Sequence, residues 1–197
     1  VGDGGSNAII NQKLLFVGGE GGKLTALRQL ISEGVTPPIL IFTQSIHRAM
    51  ALYKELLYDG IHVDVLHSGR GVGVRSEVIK KFRSGDVWVL ICTDILARGV
   101  DFPHIKLVVN FDLPPSPIAY IHRIGRTGRG GREGEAITFF TEGDLPRLRP
   151  IANVVRLAGG DVPDWMLKIP QVTISSVLSK RTGLVYYICM SQAMALS

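Results

Sequence analysis

Two cysteines in 197 residues, Cys92 and Cys189, are too few for a disulfide framework. Cys92 lies in an apolar run, which suits a buried thiol in a reducing compartment. The chain opens on Val1 rather than Met and shows no secretory signal, as expected of a piece of a longer protein. Long apolar runs are missing as well. Even the charge-free tail after Arg181 falls short of a membrane span, so no membrane partner is expected. No acidic pair of the Asp-Glu type follows a strand-like run, which leaves a metal for phosphate hydrolysis without a visible holder. What is present is a globular balance, 46% hydrophobic against 20% charged, with a net charge of +5 that leans toward an anionic partner.

Short apolar runs alternate with amphipathic segments. Strands are expected over 13–17, 39–42, 63–67, 87–92, 107–110 and 136–140. Helices are expected over 23–33, 45–58, 74–83, 95–97, 117–123 and 145–157, with Pro150 a candidate interruption of the last. Strands this apolar, separated by helices, imply an α/β fold with a mostly parallel sheet covered on both faces. Ligands then bind where the strands end.

Four connections carry chemistry. Thr43-Gln44-Ser45 offers a helix cap and a hydroxyl for phosphate. Ser68-Gly69-Arg70-Gly71 leads to Arg75 in a helix's first turn, where a cation opposes the macrodipole unless an anion is bound; pairing with Glu77 is the alternative. Thr93 to Asp101 places a hydroxyl, two carboxylates, Arg98 and Gly99 after a buried strand, with an Asp94–Arg98 ion pair as the plain reading. The fourth is His122-Arg123-Ile124-Gly125-Arg126-Thr127-Gly128-Arg129, running on to Arg132. Its arginines recur every third position, so on a helical turn they would share one side and clamp phosphate bidentately. All four connections are expected along one edge of the sheet.

Gly18-Gly19-Glu20-Gly21-Gly22-Lys23 imitates a phosphate-binding loop, but Val17 stands where that pattern needs Gly and Leu24 where it needs Ser or Thr. The glycines read as a strand-to-helix turn.

Thr93-Asp94 with Ala97-Arg98-Gly99-Val100-Asp101, and His122 through Arg129, resemble the two hallmark motifs of the second RecA-like domain of DEAD-box RNA helicases. The resemblance extends over about 12–169 and takes in 40–45 and 67–82. Segments 15–18, 44–46, 88–93 and 136–141 are similar to the branch that acts on small-subunit ribosomal RNA precursors, which implies a nuclear, nucleolar setting. Residue by residue, it implies that Arg126 and Arg129 are arginine fingers toward the ATP γ-phosphate, that Gly99 and Asp101 hold the ribose, and that His122 and Arg123 engage a partner domain. It implies that Ser45, Gly69, Arg75 and Thr93 contact the RNA backbone. ATP with Mg²⁺ is the implied cofactor, the metal being held by an N-terminal RecA-like domain of the same protein. RNA and that domain are the implied partners, with room for a protein cofactor.

One departure is Val72, where the family commonly has Gln; it keeps open a catalytically inactive RNA- or protein-binding scaffold with the RecA-like fold. The expected organisation is a flexible leader over 1–11, the domain over 12–169 and an extension over 170–197.

Overall fold

The computed structural model describes residues 9–94, 102, 104–129 and 132–170. Its centre is a six-stranded, all-parallel sheet in the order β1-β6-β5-β2-β4-β3. The strands are β1 (Ile10–Phe16), β2 (Ile39–Phe42), β3 (Val63–Leu66), β4 (Val89–Cys92), β5 (Leu107–Asn110) and β6 (Gly134–Phe140). The helices are α1 (Glu20–Ser32), α2 (Ile46–Tyr58), α3 (Val72–Ser84), α4 (Pro117–Ile124), α5 (Leu145–Leu157) and α6 (Asp164–Lys168). Every residue of β2, β4 and β5 is buried, which only a sheet covered on both faces allows.

Two apolar layers form the cover. On one face α1 and α2 contribute Leu27, Ala49, Leu52 and Leu56. On the other, Val78 and Phe82 of α3, Tyr120 and Ile124 of α4, and Leu148, Ile151 and Val155 of α5 pack with Met166 of α6. α5 passes through Pro150 without a break. Among the described residues no helix is long and apolar enough to cross a membrane.

Several boundaries move for identifiable reasons. Ile10 and Asn11, expected in the leader, begin β1, because β6 starts at Gly134 and gives them partners in register. β4 starts at Val89 rather than 87, since the Asp86 and Val87 amides close the end of α3 on the Lys81 carbonyl. β3 ends at Leu66; the His67 Nδ1 already accepts the Gly69 amide at 3.2 Å and opens the turn. α3 begins two residues early at Val72, where the Arg75 amide reaches the Gly71 carbonyl.

The glycines before Lys23 are not all turn: Gly21 and Gly22 lie inside α1. A Cβ on Gly22 would stand 1.9 Å from the Val17 carbonyl oxygen, so Gly22 lets this helix start against the strand end. The expected helix over 95–97 and the tail over 171–197 lie outside the described residues.

Candidate functional site

In a parallel sheet all strands deliver their carboxyl ends to one edge. Here the neighbours β5, β2, β4 and β3 bring 111–116, 43–45, 93–94 and 67–71 side by side there. Ser45 sits between β2 and α2, and its Oγ accepts the Arg48 amide at 3.3 Å, so the expected cap is formed. Thr93 follows β4 and is nearly buried. Gly69 is exposed in the turn after β3, where Arg70 pairs with Asp64 at 2.8 Å. Arg75 lies in the first turn of α3, half-buried, and forms no ion pair with Glu77. Val72 is 74% exposed, so replacing a glutamine there leaves an apolar side chain in solvent.

The sequence reading missed the ion network beneath this edge. Asp112, two residues past β5 and 3% exposed, accepts Lys23 Nζ at 2.8 Å, Arg48 Nε at 2.7 Å and the Gln44 amide at 2.8 Å. Burial alone would raise its pKa; the hydrogen bonds from Arg48, Lys23 and Gln44 outweigh that and hold the carboxyl below its ordinary range. Glu20 closes the ring through Lys23 and Arg48, at 2.8 and 2.6 Å. A signal was available: Lys23 stands four residues before Leu27 on the buried stripe of α1, where an ammonium needs a partner.

The arginine row does not behave as a row. α4 is capped by Ser116, whose Oγ accepts the Ala119 amide at 3.1 Å, and it ends at Ile124. Only Arg123 of the series is helical, and it points inward at 2% exposure. Its Nε and Nη2 hold both Asp94 oxygens at 2.6 and 2.7 Å, and Nη1 donates to the Asp112 carbonyl at 2.9 Å and to Asn110 Oδ1 at 3.2 Å. The guanidinium also lies 5.2 Å from the Phe42 ring centre. The resemblance implied that Arg123 engages a partner domain; the donors named here bond within this one, and Arg123 is a partner of Asp94. Arg98 lies outside the described residues, as do Gly99 and Asp101.

The fourth connection also leaves the common edge. Eight residues of α4 carry the chain about 12 Å, close to the length of a four-residue strand. At its far end Thr127 bridges Ile105, two residues before β5. Thr127 Oγ1 donates to the Ile105 carbonyl at 2.6 Å. Arg126 is half-buried, with its guanidinium 6.0 Å from the Phe102 ring centre. With Phe42, Asp94, Ser116, His122 and Arg123 it lines a hollow of about 160 Å³. Arg129 is exposed, and its Nε donates to the Gly125 carbonyl at 2.8 Å. Burial, and then the neighbouring charge of Arg129, lower the pKa of Arg126, so added negative charge would be welcome there. His122 is exposed on the same wall. Among the described residues no group of three His, Cys, Asp or Glu side chains could hold a metal ion.

A six-stranded parallel sheet with this strand order, helices on both faces and an arginine-bearing turn at the end of the helix that leaves its carboxyl edge defines a RecA-like α/β domain. The chain belongs to the helicase conserved C-terminal domain family, whose model matches residues 22–131, and within it to the second RecA-like domains of DEAD-box RNA helicases. It is 55% identical over 169 residues to ATP-dependent RNA helicase ROK1 of Eremothecium gossypii, covering 85% of this chain and 30% of that protein. It is 54% identical over 157 residues to probable ATP-dependent RNA helicase DDX52 of Bos taurus, covering 80% of this chain and 26% of that protein. The chain thus spans less than a third of either relative. The solved C-terminal domain of the DEAD-box protein Dbp5 matches with a TM-score of 0.68 at 34% identity, over 80% of this chain and 88% of that one. Dbp5 of S. cerevisiae bound to RNA and ADP BeF3 matches with the same score and identity, over 81% and 41%.

Proposed function

We propose that this domain supplies one half of an ATP site and part of an RNA track in an ATP-dependent RNA helicase. Arg126 carries the reading: a half-buried guanidinium in a hollow, pressed by the charge of Arg129, is built to meet an anion. The γ-phosphate of ATP held on a preceding RecA-like domain is that anion. Arg126 and Arg129 neutralise charge as the phosphoryl group transfers, a contribution on the order of 10³ to 10⁵ in rate. Gly99 and Asp101 take the ribose, and His122 faces the preceding domain. That domain holds the Mg²⁺.

Ser45, Gly69, Arg75 and Thr93 contact the RNA backbone along the carboxyl edge. Backbone contact leaves RNA to be read by shape and 2′-hydroxyls. Supporting this division, Ser45 and Gly69 lie in the turns after β2 and β3, Arg75 lies in α3, and Thr93 follows β4, the strand between β2 and β3. RNA and ADP BeF3 on S. cerevisiae Dbp5 support it further. The segments similar to the ribosomal branch point to small-subunit ribosomal RNA precursors and a nucleolar location. The expected result of depleting the full protein is an accumulation of unprocessed small-subunit precursors.

In the full-length protein, the Arg126→Ala, Arg129→Ala pair is expected to lower RNA-stimulated ATP turnover at least about 10³-fold with the fold intact by circular dichroism. Turnover near the parent's would remove the finger roles. A scaffold without catalysis is the second reading, favoured by exposed Val72. Titration of labelled RNA with and without a non-hydrolysable ATP analogue separates the two: a helicase tightens with the analogue and a scaffold does not.

A further inference from the structure

Among the described residues, Asp112 is the one carboxylate that ties three separate elements together near the proposed RNA edge. Its Oδ2 takes the Gln44 amide and Arg48 Nε, and its Oδ1 takes Lys23 Nζ and Arg48 Nη2. Gln44 precedes Ser45, and Arg48 is the residue whose amide Ser45 caps. The carboxylate therefore fixes both ends of the Gln44–Ser45 turn: one by a direct bond to its backbone, the other through the side chain of Arg48.

The backbone of the same residue serves a different neighbour. The Asp112 carbonyl accepts Arg123 Nη1 and so helps seat α4, which leads to Arg126. Side chain and main chain of Asp112 thus face different halves of the proposed function, and a substitution can remove one without the other.

We propose that the Asp112 side chain is a positioning residue for RNA: it holds the Gln44–Ser45 turn in the geometry that meets the RNA backbone, while leaving the arginine side to its main chain. The inference rests on the RNA reading given above. An asparagine cannot replace the carboxylate, because every neighbour is a donor. Its amide NH₂ would face Lys23, Arg48 or the Gln44 amide.

The test uses the full-length helicase, with poly(U) as the RNA probe. Asp112→Asn is expected to raise the RNA concentration for half-maximal ATPase stimulation about tenfold, while the KM for ATP stays within about twofold. Lys23→Met removes one donor of the same network but leaves the Gln44 and Arg48 bonds. It is expected to lower the melting temperature with RNA half-saturation unchanged. Should Asp112→Asn not fold, the Lys23→Met, Asp112→Asn pair removes the buried ammonium together with its buried carboxylate partner and carries the same expectation.

An Asp112→Asn protein that saturates at the parent's RNA concentration overturns the inference, as does a Lys23→Met protein shifted as far as Asp112→Asn. Ser45→Glu, which sets negative charge against the RNA backbone, distinguishes the two levels. If Ser45→Glu weakens the RNA response and Asp112→Asn does not, positioning fails and the RNA reading stands. If the parent's ATPase ignores RNA, both fall.

Discussion

At the residue scale, the consequence of packing four donors around Asp112 is a carboxyl group that resists protonation. Its folded pKa is depressed below the ordinary value of about 3.9, so its contribution to stability is fully present above that value. The contribution is lost as pH falls through the folded value. Melting curves of the parent are therefore expected to fall steeply between about pH 4 and the folded value, and Asp112→Asn to flatten that acid limb. At pH 7 the same variant is expected to cost about 3–5 kcal/mol, because it removes the buried carboxylate that Lys23, Arg48 and the Gln44 amide share and leaves Lys23, 2% exposed, with Glu20 alone. Equilibrium urea denaturation at pH 7 and pH 3 checks both expectations; an unchanged acid slope would mean that other carboxylates govern it. Cys92 provides a contrast. Its thiol is fully buried, and burial pushes its pKa up, so it is expected to stay unreactive toward iodoacetamide in the folded protein.

At the element scale, α4 and the turn after it depend on what they lean on. A Cβ on Gly134 would stand 2.3 Å from Thr127 Oγ1 and 2.4 Å from the Gly128 amide nitrogen. These atoms belong to the segment between Arg126 and Arg129. Gly134→Ala is expected to push that segment away from the start of β6 and to cost about 1–3 kcal/mol. It should also lower ATP turnover of the full-length protein without touching either arginine. Urea denaturation with single-turnover ATPase measurements tests this; lost stability with full turnover would mean that the proposed roles of Arg126 and Arg129 tolerate the displacement. The elements themselves were legible because β2 and β4 are uniformly apolar and Ser45 caps the helix that follows β2. The orientation of α4 was not legible. Three-residue spacing of arginines says where they point only if the helix continues, and it stops at Ile124, before Arg126. The same limit hid the Lys23–Asp112 pair: the partners stand 89 residues apart, and only the sheet order brings them together.

At the scale of the whole molecule, the proposed function puts cations for a phosphate at one place and RNA-backbone contacts at another. The two are joined by the Arg123–Asp94 pair and by Asp112. The pair lies beneath Thr93, and Asp112 lies beneath Gln44, so the ends of β4 and β5 are held to α4 in a single arrangement. Under the proposed function a half held in this way docks as a unit, since completing an ATP site across a cleft needs arginines that do not rearrange on arrival. The chain alone supplies arginines but is expected to bind ATP weakly and to turn it over negligibly. Added in trans, the preceding RecA-like domain of the same protein is expected to restore measurable RNA-stimulated ATPase, still well below that of the joined chain because a linker raises the effective concentration of one half for the other to about the millimolar range. Phosphate release measured for the 197-residue chain, for the two pieces mixed and for the full-length protein orders the three cases. Turnover by the isolated chain at the full-length rate would show that the site is complete within it, and would make the half-site description wrong.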